Sequence, residues 1–88
     1  MTFDVSKFGD VLVSRPAGRD AFLMAKAYIF NNIDASDSLS LDFSKVKVLT
    51  PSWADEFITG LKKSYSNELK FINTQNESVS ASLKTVLG

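Results

Sequence analysis

The chain contains no cysteine and no histidine among its 88 residues. These absences exclude a thiol nucleophile, a disulfide framework, an imidazole base and the usual kinds of zinc site. Its ten basic and ten acidic residues cancel and form no long run of either sign. A nucleic-acid-binding protein normally carries a basic stripe. We therefore expect no metal, no cofactor and no nucleic acid as a partner.

Long hydrophobic runs are also missing. The longest apolar stretch, Ala21 to Phe30, is interrupted by Lys26 and is too short to span a bilayer. The first residues lack the apolar core of a signal peptide. A hydrophobic fraction of 44% with seven Phe is typical of a folded chain. We expect a cytoplasmic protein without membrane partners, folded as a single domain over residues 1–88.

The N-terminal pattern predicts a β-hairpin. Two short apolar segments, residues 3–5 and 11–13, flank the turn-forming pair Gly9-Asp10. Alternating segments separated in this way are typical of two antiparallel strands, here across residues 3–14.

Helices and strands alternate along the rest of the chain, which shows no linker and no internal repeat. We predict a helix over about 17–32, followed by a strand over 39–43. A second helix runs from 50–52 to about 65, and a strand follows over 69–72. The last helix begins with a capping box formed by Thr74 and Glu77. The order β-β-α-β-α-β-α predicts an α/β fold with a small mixed four-stranded sheet, an antiparallel N-terminal hairpin and three helices, mainly on one face.

The start of the second helix can carry a site or be purely structural. Pro51 favours an extended conformation at Thr50, which suits Thr50 as the N-cap residue. Alternatively, Ser52 caps the helix and the Asp55 side chain reaches back to it as a capping box. The functional alternative is that a hydroxyl here accepts a phosphoryl group, which the helix start would bind and Asp55 and Glu56 would repel.

Charged residues elsewhere also have two interpretations. Asp42 could act as a general base, but no nucleophile or metal cluster accompanies it, so we expect no catalysis. Arg15 and Arg19 lie near a helix N-terminus, where positive charge is disfavoured. Either they pair with carboxylates of the fold, or they form a patch that recognises an anion or a partner.

The first helix is more apolar than packing on one side of a sheet requires. We expect part of it to form an interface, with homodimerisation and docking on another protein both open. Trp53 begins the second helix, where we expect its burial to be incomplete, so it is a candidate apolar anchor for a partner.

Three groups of residues resemble the STAS-like domains of unknown function. They are Ser14-Arg15 with Arg19, Leu41-Asp42-Phe43 with Val46, and the block Ser52-Trp53-Ala54-Asp55-Glu56-Phe57. The resemblance extends from about residue 11 to the C-terminus, with Trp53 where the family usually has Phe.

A wider resemblance links this fold to the anti-sigma-factor antagonists of bacterial signalling. In those proteins, a kinase with a histidine-kinase-like ATPase fold phosphorylates a serine that opens a helix, and phosphorylation breaks the complex. They read Asp-Ser-Ser-Gly where this chain reads Thr50-Pro51-Ser52-Trp53.

The interpretation that follows is a non-catalytic protein-interaction module that regulates such a kinase or a similar signalling protein. The candidate phosphoacceptors are Ser52 and Thr50, and the candidate partner-binding residues are Trp53, Asp55, Glu56, Arg15, Arg19 and Asp42. Two alternatives remain open at this point. One is a homodimeric structural module that uses the first helix, and the other is a domain that binds a small ligand or nucleotide.

Overall fold

Every strand pair in the structure is parallel. The computed structural model describes residues 1–88. One sheet has the order β1-β3-β5, with β1 at Thr2–Asp4, β3 at Leu39–Asp42 and β5 at Leu69–Ile72. The other pairs β2, Val11–Leu12, with β4, Val48–Leu49. The helices are α1, Arg15–Met24, α2, Pro51–Ser64, and α3, Glu77–Leu87.

The predicted antiparallel hairpin and four-stranded mixed sheet are wrong. After β1 the chain enters a 3-10 turn, Val5–Phe8, because the Asp4 carboxylate accepts a hydrogen bond from the Ser6 N–H at 2.9 Å. The turn ends at Gly9, whose φ is +124°. β1 and β2 therefore do not meet, and each pairs instead with a strand more than thirty residues later in the chain.

Other element boundaries also differ from those predicted. The two-residue strand β4 was not among the predicted elements, so the observed order is β-β-α-β-β-α-β-α. The first helix continues from α1 into a π-helical segment, Ala25–Ile29, and does not reach Asn32. Asn76, and not Thr74, caps α3 by accepting hydrogen bonds from the Ser78 and Val79 N–H groups. The boundaries predicted for α2 and β5 are confirmed within one residue.

Two segments of the chain have the same sequence pattern and equivalent places in the fold, although no repeat was expected. The pattern Asp-x-Ser-Lys occurs at residues 4–7 and 42–45. Each segment follows a strand of the first sheet, and in each the aspartate accepts a hydrogen bond from the N–H of the serine at 2.9 Å. Each then leads through a strand of the second sheet into a helix. The fold thus contains two parallel strand-turn-strand-helix units.

The three-stranded sheet is buried on one face and open on the other. Phe3, Leu39 and Leu41 belong to a core of 18 buried apolar side chains, whereas Ser40 is half-exposed and Lys70 is exposed. Parallel sheets are usually covered on both faces. This one keeps a polar face toward solvent.

The helix α3 completes the small second sheet through its serines. The Leu49 N–H donates to Ser78 Oγ at 2.9 Å, and the Ser78 and Ser82 hydroxyls both donate to the Leu49 carbonyl. These bonds satisfy the backbone groups that β4 does not use in pairing with β2. None of the three helices has the length and apolar character needed to cross a lipid bilayer.

The helices α1 and α2 approach each other closely at two glycines. A Cβ atom on Gly18 would lie 2.5 Å from the Trp53 carbonyl oxygen and 2.9 Å from its Cα. A Cβ atom on Gly60 would lie 2.7 Å from the ring of Phe22. The obstacle at Gly18 is backbone, whereas the obstacle at Gly60 is a half-exposed side chain that can move.

We therefore expect Gly18→Ala to lower the free energy of unfolding by roughly 1–3 kcal/mol, because α1 must move away from α2. Gly60→Ala is the matched control, since alanine also raises helix propensity there by about 1 kcal/mol and Phe22 can yield. Urea unfolding followed by Trp53 fluorescence measures both variants. A Gly18→Ala protein as stable as the wild type would contradict the close helix contact.

Candidate functional site

The helices α1 and α2 begin side by side at one edge of the protein. The strands β2 and β4 are parallel, and each leads directly into one of the two helices. Ser14 caps α1 by accepting a hydrogen bond from the Ala17 N–H at 3.3 Å. Thr50 caps α2 by accepting one from the Trp53 N–H at 3.4 Å. Both helix N-termini therefore face the same region.

The Thr50 side chain forms hydrogen bonds that hold the fold together. Its hydroxyl also donates to the Leu12 carbonyl at 3.4 Å, and its N–H donates to the same carbonyl at 3.1 Å. Of the two caps that the sequence allowed, Thr50 is the one used. Asp55 does not reach back to the helix start, and Asp55 and Glu56 lie in the second turn and not the first.

Ser52 has an uncommitted hydroxyl. The side chain is half-buried, and the hydrogen bonds around it join other residues, so its Oγ has no partner within the chain. It lines a shallow depression of about 240 Å³ together with Arg15, Pro51, Asp55, Thr85 and Val86. We call this depression the α2-start depression.

An ion pair links α1 to α2 at the rim of this depression. Arg15 Nη1 lies 2.8 Å from Asp55 Oδ2 and 3.6 Å from Glu56 Oε1. The Thr59 hydroxyl donates to Asp55 Oδ1 at 3.0 Å. Hydrogen bonds from Arg15 and Thr59 lower the pKa of Asp55, and the bond to Asp55 raises the pKa of Arg15. The Arg15 and Asp55 side chains are 53% and 45% exposed, so the pair orients them more than it stabilises the fold.

The backbone immediately before Arg15 is strained. Ser14 has φ of 79° and ψ of 141°, a combination that residues other than glycine rarely adopt. This conformation turns the chain from β2 into α1 and places Arg15 at the first helical position, opposite Asp55. Strain of this kind persists where the surrounding structure imposes it, and it is concentrated at functional sites.

Trp53 is buried, with 2% of its surface exposed, in contrast to the incomplete burial expected from the sequence. Its indole stacks on the Phe57 ring with a centroid distance of 4.9 Å and also contacts Phe8. The residue therefore packs the base of α2 into the core and has no exposed face with which to anchor a partner.

Arg19 and Asp42 lie outside the α2-start depression. Arg19 is exposed on α1, beside Phe22, and forms no ion pair. Asp42 lies at the end of β3, where its carboxylate accepts hydrogen bonds from Asn73 Nδ2 and the Ser44 N–H, both at 2.9 Å. These two bonds lower the pKa of Asp42. The structure thus brings Arg15, Ser52, Asp55 and Glu56 together and leaves Asp42 with a structural role in its turn.

Sequence reasoning missed three residues of this region. Thr85 and Val86 reach the depression from α3, and nothing in the local sequence signals this contact. Thr59 could have been found, since it follows Asp55 by four residues on the same helix face.

The architecture and the site define a small α/β domain with a capped helix start at a polar surface depression. The family profile of the STAS-like domain of unknown function matches residues 25–79, and the chain belongs to this family. The resemblance was expected from about residue 11 to the C-terminus, whereas the match begins at residue 25 and ends at residue 79, so Arg15 and Arg19 lie outside it. The chain has no significant match among curated proteins or among solved structures.

The strain at Ser14 gives a stability prediction. Ser14→Gly removes the cap but also relieves strain of about 1–3 kcal/mol, whereas Ser14→Ala removes the cap and keeps the strain. We expect the glycine variant to be the more stable of the two. The same pair of substitutions at Thr50, whose φ is −105°, is the control. The advantage of glycine should be greater at position 14 by about 1 kcal/mol or more; equal advantages in thermal unfolding would contradict the strain.

The lowered pKa values of Asp4 and Asp42 predict acid sensitivity. A carboxyl group with a folded-state pKa below its unfolded value stabilises the fold above about pH 4, and this contribution is lost as the pH falls through the folded-state pKa. We expect the melting temperature to fall from pH 5 to pH 2.

Asp42→Asn should flatten this acid dependence in circular dichroism melts. Asp20→Asn is the control, since that exposed carboxylate forms no hydrogen bond or ion pair within the chain. A wild-type melting temperature that does not change with acid, or equal slopes for Asp42→Asn and the wild type, would contradict the role assigned to Asp42.

Proposed function

We propose that the protein is a non-catalytic regulatory module that binds another protein through the α2-start depression. The observation that carries this proposal is the free Ser52 hydroxyl in a depression whose rim is an exposed Arg15–Asp55 ion pair. A hydroxyl at this point is accessible for modification, and a charged pair that is already oriented is suited to polar recognition.

The same geometry supports a proposed phosphorylation switch. A serine kinase would transfer the γ-phosphoryl group of a nucleoside triphosphate to Ser52 Oγ, with the hydroxyl proton passing to a base of the kinase and nucleoside diphosphate leaving. The resulting phosphate would lie at the N-terminus of α2, where the helix dipole favours an anion. The Ser52 N–H is the donor there, because Pro51 has no N–H and the Trp53 N–H already bonds to Thr50. The phosphate would repel Asp55 and compete with that carboxylate for the Arg15 guanidinium. The rim of the depression would then change its charge and shape.

The partner class comes from the resemblance to anti-sigma-factor antagonists. We infer a cytoplasmic signalling complex in which the partner is a histidine-kinase-like ATPase with serine kinase activity, or a regulator bound to one. Of the two candidate phosphoacceptors, Ser52 is supported by its free hydroxyl, whereas the Thr50 hydroxyl already bonds to the Leu12 carbonyl and the Trp53 N–H.

A second candidate function is supported by exposed apolar side chains. Leu23, Met24 and Tyr28, at the end of α1 and in the π-helical segment, are 47%, 55% and 79% exposed. Such a patch would also suit a homodimer. Size-exclusion chromatography with light scattering separates a dimer from a monomer that binds a different protein.

The experiment is an affinity pull-down from native cell extract with matched variants. We expect wild-type protein to retain a specific kinase or regulator, and Ser52→Asp to lose most of it, because the new carboxylate adds charge beside Asp55. Ser80→Asp, at an exposed serine in the first turns of α3, is the control and should retain the partner.

Asp55→Ala separates binding from folding in the same assay. We expect it to reduce retention of the partner while changing the melting temperature little, since its ion pair is exposed. Equal retention by wild-type, Ser52→Asp and Asp55→Ala proteins would refute the proposed binding surface. Recovery of the tagged protein alone, as a stable dimer, would favour the second candidate.

A further inference from the structure

A second depression lies along the contact between α1 and α2, separate from the α2-start depression. It is a groove of about 190 Å³, with walls that include Arg19 and Phe22 from α1 and Glu56, Gly60 and Lys63 from α2. In this groove the Phe22 ring lies directly against α2, because Gly60 has no side chain. We call the groove the α1–α2 groove.

Two cations of this groove are unpaired. Arg19 and Lys63 lie within 4 Å of no carboxylate, and neither do Lys7, Lys26, Lys62 and Lys84. What distinguishes Arg19 and Lys63 is that both line one depression, although the Lys63 charge also acts on Asp55. The groove contains one carboxylate, Glu56, and that group lies 3.6 Å from Arg15. Its charge is therefore shared with a cation outside the groove. Two positive charges and one partly neutralised negative charge leave a net positive site.

We propose that the α1–α2 groove binds an acidic side chain, glutamate or aspartate, presented by a segment of the partner protein. This inference rests on the proposed function and names the chemistry of the partner. The Arg19 guanidinium can donate a pair of hydrogen bonds to the incoming carboxylate from one wall, and the Lys63 ammonium can meet it from the other. The Phe22 ring provides an apolar surface for the methylene groups of that side chain.

The two interpretations left open for Arg15 and Arg19, pairing with carboxylates or a patch that recognises an anion, are thus divided between the two residues. Asp55 and Glu56 occupy Arg15, and Lys63 replaces it as the second cation beside Arg19. This arrangement could not be read from the sequence, because Lys63 lies 44 positions after Arg19 and reaches it only through the close packing of α1 on α2.

The test is an NMR titration of the ¹⁵N-labelled full chain with a hexaglutamate peptide. We expect amide shifts to concentrate at Arg19 and along the last turns of α2, and to weaken as salt is added. A hexalysine peptide should produce no shifts there. Shifts spread evenly over the surface, or none at saturating peptide, would overturn the proposal.

Four variants make the test specific. Arg19→Gln and Lys63→Gln should each weaken hexaglutamate binding by about two- to fivefold, the range expected for one exposed charge pair. Lys62→Gln removes a neighbouring cation that does not line the groove and should have less effect. Glu56→Gln removes the opposing charge and should strengthen binding. An equal loss with Lys62→Gln would show attraction to general positive charge and would overturn the proposal.

The two proposals can fail independently. The titration requires no cellular partner, and Ser52→Asp tests the pull-down without altering the two groove cations. A partner lost by Ser52→Asp but retained by Arg19→Gln and Lys63→Gln would leave the proposed function intact and refute the groove.

Discussion

Parallel pairing between the two strand-turn-strand-helix units determines the rest of this structure. β1 pairs with β3 and β2 pairs with β4, so equivalent parts of the two units lie side by side. Because both helices follow strands of the same sheet, their N-termini meet at one edge. The α2-start depression, its ion pair and the neighbouring groove all lie along the contact between these helices.

The contact between α1 and α2 depends on two glycines and on one residue with a strained backbone. Gly18 lets α1 approach the backbone at Trp53, and Gly60 accommodates the Phe22 ring. Ser14 takes up the backbone strain at the start of α1. These three positions bring Arg15 to Asp55 and Arg19 to the wall opposite Lys63. The polar surface of the protein thus follows from how closely two helices pack.

The elements that were predicted correctly are those defined by a pattern of neighbouring residues. The apolar stripe of α2 and the strand β5 were located within one residue, since periodicity and flanking polar residues define both. The hairpin was wrong because alternation identifies a strand but not its partner. Val5 is fully buried in a 3-10 turn and alternates with polar residues as a strand residue would. β4 was missed because a two-residue strand has no period.

Only the part of the candidate site that lies on one helix could be predicted from the sequence. Ser52, Asp55 and Glu56 share a helix, so their proximity follows from sequence spacing. Thr85, Val86 and Lys63 join the two depressions through tertiary packing, which the sequence does not reveal. The repeated Asp-x-Ser-Lys pattern was visible in the sequence. Its recognition would have indicated two equivalent strand-turn segments in place of a hairpin, although not which strands pair.

The division of strand pairing between the units has a consequence for how the chain folds. Both strands of the first unit, β1 and β2, pair only with strands of the second unit, so the first unit cannot form a sheet by itself. The hydrogen bonds that β1 and β2 form in the sheets must wait until β3 and β4 are available, whereas those of α1 form within the unit. A nascent chain emerging from the ribosome would therefore hold the first unit unpaired until β3 and β4 appear, and sheet formation would be completed late in synthesis.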